Sequence, residues 1–182
     1  MIKLKTGYIV FYSGKSFISR LIKFFIYFFN LRIKKPTNWI PSHMGTLFIE
    51  GDEVLIGESI WLRYKLQNFY EEYKQGHYII MKPIIDFTEE EQEIGKQYII
   101  KLTSTGSYQW WKYPAWAYYA LTGKKWMFGK KSSDYNSICY ESTARVLEKM
   151  RPGFFPKDYE FELAYYGDIM YDKRMEIMID KK

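Results

Sequence analysis

Two apolar runs separated by Gly51-Asp52 constrain this chain more than any other feature. Residues 42–50 read Ser-His-Met-Gly-Thr-Leu-Phe-Ile-Glu and residues 53–58 read Glu-Val-Leu-Ile-Gly-Glu. A two-residue Gly-Asp loop between such runs predicts a β-hairpin with a primed turn. The register then sets Ile49 opposite Val54, Leu47 opposite Ile56 and Gly45 opposite Glu58. Because side chains alternate between faces, His43, Leu47, Ile49, Val54, Ile56 and Glu58 all project to one side. His43 and Glu58 are the polar members of that side. They are diagonal neighbours, about 7–8 Å apart at the backbone and within side-chain reach. A carboxylate beside a half-buried imidazole fixes its tautomer and orientation, as the third member of a catalytic triad does. Gly45, between them, is expected to leave room for the contact.

The second constraint is the single cysteine. It rules out internal disulfides and any multi-cysteine zinc or iron–sulfur site, and two histidines leave little for a histidine-based metal cage. No metal or other cofactor is expected. Cys139 lies in Asn136-Ser137-Ile138-Cys139-Tyr140-Glu141-Ser142, at the start of a helix predicted over 138–150. That helix is capped by Asn136 or Ser137 and stopped by Arg151-Pro152-Gly153. Unpaired N–H groups and the positive end of the helix dipole favour a thiolate in the first turn. The same N–H groups can hold the oxyanion of a tetrahedral intermediate. Cys139, Thr143, Val146 and Met150 fall on one inward stripe. The competing reading is a small buried hydrophobe, the commonest fate of a lone cysteine.

The rest of the chain supplies a frame of mixed α and β elements in a single domain over 1–182. Residues 7–12 read as a short apolar strand and residues 78–82 as another, closed by Pro83. Thr88 with Glu91 is a capping box that opens a helix ending near Thr105-Gly106. Residues 108–128 carry Trp110, Trp111, Trp116 and Trp126 and predict a short helix with flanking loops, followed by a polar loop over 130–136. From Ser16, Phe17, Leu21, Phe24, Phe25 and Phe28 recur at helical spacing among basic residues. That segment, Phe17–Arg32, reads as a helix packed on the core with a solvated basic face; its composition can also lie in a membrane interface. His77 reads as a surface residue in a charged loop.

Residues 7–14 (GYIVFYSG), Ser42-His43-Met44-Gly45, Glu58-Ser59 and Cys139-Tyr140-Glu141-Ser142 carry a resemblance. In that order they resemble the circularly permuted NlpC-type cysteine hydrolases, the YiiX-like group related to lecithin–retinol acyltransferase. The resemblance implies a papain-like α+β fold, a small antiparallel sheet with the cysteine helix packed on it. It also implies a Cys–His–Glu site, here Cys139, His43 and Glu58, with thiol protease or amidase chemistry. Tyr108 or Tyr135 is expected to help hold the oxyanion; the Trp-rich stretch is expected to pack the sheet's outer face, the alternative being a wall of the substrate groove, for which Trp110 and Trp111 are the candidates. Three positions depart from the family pattern: Tyr8 replaces an Asp, the stretch 17–41 is longer, and Tyr140 replaces a Ser.

Net charge is +6 and the sequence pI about 9.1, which suits an anionic partner. Lys and Arg are spread along the chain and no nucleic-acid motif appears, so nucleic acid is disfavoured. The expected partner is a peptide, amide or acyl-lipid substrate. Residues 21–31, the greasiest run, are too few to cross a bilayer, which takes about 20 apolar residues. With no signal peptide read at the N-terminus, a cytoplasmic location is the expectation. Three functions stand: a thiol hydrolase of amide bonds, for instance in cell-wall peptide; an acyltransferase or lipid hydrolase with the same triad; and a membrane-associated or virion component that keeps the fold without the chemistry.

Overall fold

A computed structural model describes residues 3–32, 39–60, 63–73, 76–106, 118–119, 121–124, 138–161 and 164–181. In chain order its elements are β1 (Ile9–Ser13), α1 (Phe17–Arg32), β2 (His43–Glu50), β3 (Glu53–Ile60) and β4 (Arg63–Asn68). There follow α2 (Phe69–Glu72), β5 (His77–Pro83), α3 (Glu89–Thr105), α4 (Cys139–Met150), α5 (Gly167–Met170) and β6 (Met175–Lys181). The six strands form one antiparallel sheet in the order β4-β3-β2-β1-β5-β6, giving an α+β architecture.

The hairpin has the register expected of it. Ile49 pairs with Val54, Leu47 with Ile56 and Thr46 with Gly57. Gly51 takes φ +57, the left-handed conformation that a primed turn demands and that only glycine adopts without strain. Gly45 plays a different part from the one expected. A Cβ there would sit 2.7 Å from Ile56 Cδ1, so the missing side chain admits Ile56 and not the His43–Glu58 contact itself.

Alternation sorts the sheet into two apolar faces. Ile9, Phe11, Met44, Phe48, Ile79 and Met81 pack with Ile99 and Leu102 of α3 and with Val146, Leu147 and Met150 of α4. Tyr8, Val10, Leu47, Ile56 and Ile80 point the other way and are covered by Phe69 and Tyr73 around α2. β1 is apolar on both sides because both of its faces are covered, which explains its unbroken Ile-Val-Phe run.

α3 begins as its sequence dictates. Thr88 Oγ1 accepts from Glu91 N–H at 3.1 Å, and Glu91 Oε2 accepts from Thr88 N–H at 2.8 Å. α4 differs from expectation at its start. The residue in the cap position is Ile138, extended and with no side chain able to accept a bond; Asn136 and Ser137 lie outside the described residues. The helix is buried nearly all round, with Tyr140, Glu141, Ser142, Ala144 and Leu147 as buried as the predicted stripe.

α1 reverses the packing read from its sequence. Ile26 and Asn30 are buried, whereas Phe17, Leu21, Phe24 and Phe28 face solvent. The recurring aromatic positions were a face, but the core takes the narrower stripe on the other side.

Candidate active site

β2 opens at His43, and the face it shares with β3 brings Glu58 to the ring. Glu58 Oε2 meets His43 Nε2 and also accepts from the Tyr73 hydroxyl, and Gln67 Nε2 donates to Oε1 at 3.1 Å. The carboxylate is almost fully enclosed and the ring mostly so, with side-chain exposures of 3% and 17%. Burial alone would drive both toward their neutral forms. It is outweighed. The charges of Glu58 and Cys139, with hydrogen bonds to both, raise the His43 pKa well above the ordinary histidine value. Burial likewise lifts Glu58, but the His43 charge and the bonds from His43, Tyr73 and Gln67 bring it below the ordinary glutamate value. Both shifts favour the charged forms, imidazolium and carboxylate. Tyr73, buried and beside that carboxylate, is held well above the usual phenol range and stays a donor.

Cys139 is the first residue of α4 and lies near enough to the His43 ring to help raise its pKa. Two bonds set the helix start against the hairpin. The Tyr140 hydroxyl donates to the Pro41 carbonyl at 2.9 Å, two residues before His43. The Ser59 hydroxyl, next to Glu58 in β3, donates to Ser142 Oγ at 3.1 Å, and Ser142 in turn donates to the Cys139 carbonyl at 3.0 Å. The departure at Tyr140 thus serves to brace the helix. The helical ladder begins with Ser142 N–H on the Ile138 carbonyl, so the Cys139 N–H lies ahead of it. The sulfur-bearing residue itself is fully buried, at 0% exposure.

Sequence reading missed Gln67 and Tyr73. Arg63–Asn68 alternates polar and apolar residues, the signature of a strand, and its pairing sets Lys65 opposite Glu58 and Gln67 opposite Ile56. That register places Gln67 diagonal to Glu58 on the same face. Tyr73 carries no comparable local signal, since it reaches Glu58 after the short α2 turn capped by Asn68. Tyr108, Tyr135, Trp110 and Trp111 lie outside the described residues. His77, expected as a surface residue in a charged loop, instead opens β5 and is half-buried. Its Nδ1 accepts from Trp39 Nε1–H at 2.9 Å and its Nε2 pairs with Asp180 at 2.9 Å. A cavity of about 360 Å³ lined by Tyr119, Tyr159, Tyr165 and Asp168 is not lined by His43, Glu58 or Cys139.

The chain is similar to a solved crystal structure, that of the metalloprotein YiiX from Escherichia coli O157:H7. The TM-score is 0.62 at 13% sequence identity, over 97% of each chain. No family model and no curated protein sequence matches. The likeness is one of fold. Among the described residues no three His, Cys, Asp or Glu side chains come together to hold a metal ion. Glu58, the nearest candidate ligand, already takes three donors on its two oxygens.

Proposed function

We propose that this protein is a thiol hydrolase with the papain-like, permuted arrangement of the YiiX-like group, acting on an amide or ester carbonyl. The observation that carries the reading is that one imidazole has a buried carboxylate on its Nε2 and the only cysteine as a second partner. Cys139 is the nucleophile, His43 the acid–base group and Glu58 the residue that orients the ring.

In acylation the Cys139 sulfur attacks the carbonyl carbon and its proton resides on His43. The carbonyl becomes an oxyanion that the Cys139 N–H can stabilise. His43 then gives the proton to the leaving amine or alcohol as the C–N or C–O bond breaks. In deacylation a water molecule replaces the leaving group. His43 takes a proton from it, the water oxygen bonds to the acyl carbon, and the thioester C–S bond breaks to restore the enzyme. Glu58 holds the ring in place throughout and balances its charge, and Tyr73 and Gln67 hold Glu58.

Full burial of Cys139 favours a second reading, a scaffold that keeps the fold without catalysis. Catalysis requires an opening that admits a carbonyl to the sulfur. Labelling with iodoacetamide near neutral pH separates the two. The hydrolase reading expects rapid modification, slow in His43→Ala and absent in Cys139→Ala. Labelling that is slow and indifferent to His43 supports the scaffold. Peptidoglycan fragments, N-acyl amines and phospholipids, screened in parallel, divide an amidase from a lipid hydrolase or acyltransferase.

A further inference from the structure

The outward face of α1 has no use in the chemistry above, and it is built against the ordinary rule for a surface helix. Phe17 is 80% exposed, Phe24 55% and Leu31 52%, and Leu21 and Phe28 lie on the same side. An exposed apolar stripe of this length on a soluble face is an interaction surface or a liability. The inward side is already committed. Ile26 is buried, Asn30 Nδ2 donates to the Tyr166 hydroxyl at 2.6 Å, and Lys23 Nζ reaches the Gly14 carbonyl at 2.8 Å. Asn30, Ile26 and the half-buried Ile22 recur every fourth residue, so they make one stripe that pins the helix while the aromatic stripe points away. The exposed rings meet edge to face, Phe24 against Phe28 at 4.8 Å and Tyr27 against Phe28 at 5.6 Å.

Charge says what covers the stripe. Residues 1–49 hold eight Lys and Arg and no Asp or Glu, so the whole positive excess of the chain sits in this segment and the remainder is slightly acidic. Lys15 and Arg20 are exposed beside the stripe. Aromatic and aliphatic side chains on a segment that carries cations and no carboxylate match the boundary between acyl chains and anionic headgroups.

We propose that α1 docks the protein on a bilayer surface carrying anionic phospholipids, with Phe17, Leu21, Phe24, Phe28 and Leu31 entering the acyl boundary and Lys15 and Arg20 at the headgroups. This goes beyond the hydrolase reading and does not depend on it. The inward side of the same helix leads toward the candidate site, because Tyr166 touches Asn30 and its ring lies 6.4 Å from that of Tyr140, the neighbour of Cys139.

Flotation of the full chain with vesicles tests it. Vesicles of phosphatidylcholine with phosphatidylglycerol are expected to carry the protein at least tenfold better than pure phosphatidylcholine, and Leu21→Glu/Phe24→Glu is expected to lose that binding tenfold or more. A reporter, Phe24→Trp, is expected to shift to the blue on addition of the anionic vesicles, read as the difference from wild type and its six native tryptophans under the same conditions. It serves where the double variant lacks a wild-type thermal transition. Equal binding to both vesicle types, or binding unchanged by a folded double variant, overturns the proposal, as does an unshifted reporter. Absence of vesicle binding with a concentration-dependent dimer that the double variant abolishes also overturns it, and assigns the face to a second copy of the chain. Iodoacetamide labelling of Cys139 in the α1 variants is expected to match wild type, so failure of the docking proposal and failure of the hydrolase reading are read separately.

Discussion

The two histidines of the described chain each begin a strand and each pair with a carboxylate, yet they are different instruments. His43 and Glu58 are sealed at 17% and 3% side-chain exposure, whereas His77 and Asp180 stand at 27% and 42%. Glu58 is gripped from three sides, and the ring it holds meets a thiol. His77 instead accepts a bond from the Trp39 indole, whose ring lies tilted against it at 5.0 Å. Its second nitrogen is spent on an indole N–H. A carboxylate beside an imidazole is therefore common structural furniture; what sets the first pair apart is its enclosure and the cysteine near its ring.

The comparison can be broken most sharply by reactivity. His43→Ala is expected to slow modification of Cys139 by iodoacetamide about a hundredfold or more, the scale of a positioned acid–base group, while His77→Ala stays within about twofold of wild type. Equal effects from both would erase the distinction. Stability comes next. Glu58→Gln strands the ring without its counter-charge in a dry site and is expected to cost about 3 kcal/mol in urea denaturation, the low end for a broken buried pair because the ring can shed its proton.

The pH dependence of stability should separate the pairs further. Glu58 binds its proton less readily folded than unfolded, so its contribution is complete above the ordinary glutamate value of 4.5 and fades as pH falls through the lower folded one. His43 binds its proton more readily folded, so its contribution is complete below the ordinary histidine value of 6.5 and fades as pH rises through the higher folded one. Both act in full between those two values. His43→Gln is expected to remove the alkaline decline, read from thermal midpoints across a pH series. Tyr73→Phe, which deletes one donor to a charged acceptor, is expected to cost about 1.5–3 kcal/mol. Asp180→Asn closes the order at less than about 1 kcal/mol, as for an exposed pair.

Much of the hairpin was legible because its turn allows one register, and one register assigns every side chain to a face. His43 and Glu58 could be paired on paper for that reason. The capping box of α3 was legible on similar grounds, being a contact among residues three apart. Packing partners were harder. Cys139 could be placed at a helix start, but its burial and its bracing by Tyr140 and Ser59 depend on how two distant elements dock. α1 misled because periodicity reports that a face exists and is silent on which side the core occupies. Its aromatic stripe is richer than Ile22, Ile26 and Asn30, so hydrophobicity alone points the wrong way. The Trp-rich segment and the tyrosines expected to serve the oxyanion lie outside the described residues and leave that expectation where the sequence placed it.

The bracing of α4 has a temporal meaning. His43 and Glu58 are 15 residues apart, within one hairpin, whereas the Tyr140–Pro41 bond closes a separation of 99. Loop closure makes the first association cheap and early and the second costly and late. The hairpin can thus bring imidazole and carboxylate together before the last third of the chain docks, and on the proposed hydrolase reading the site is complete only after that docking.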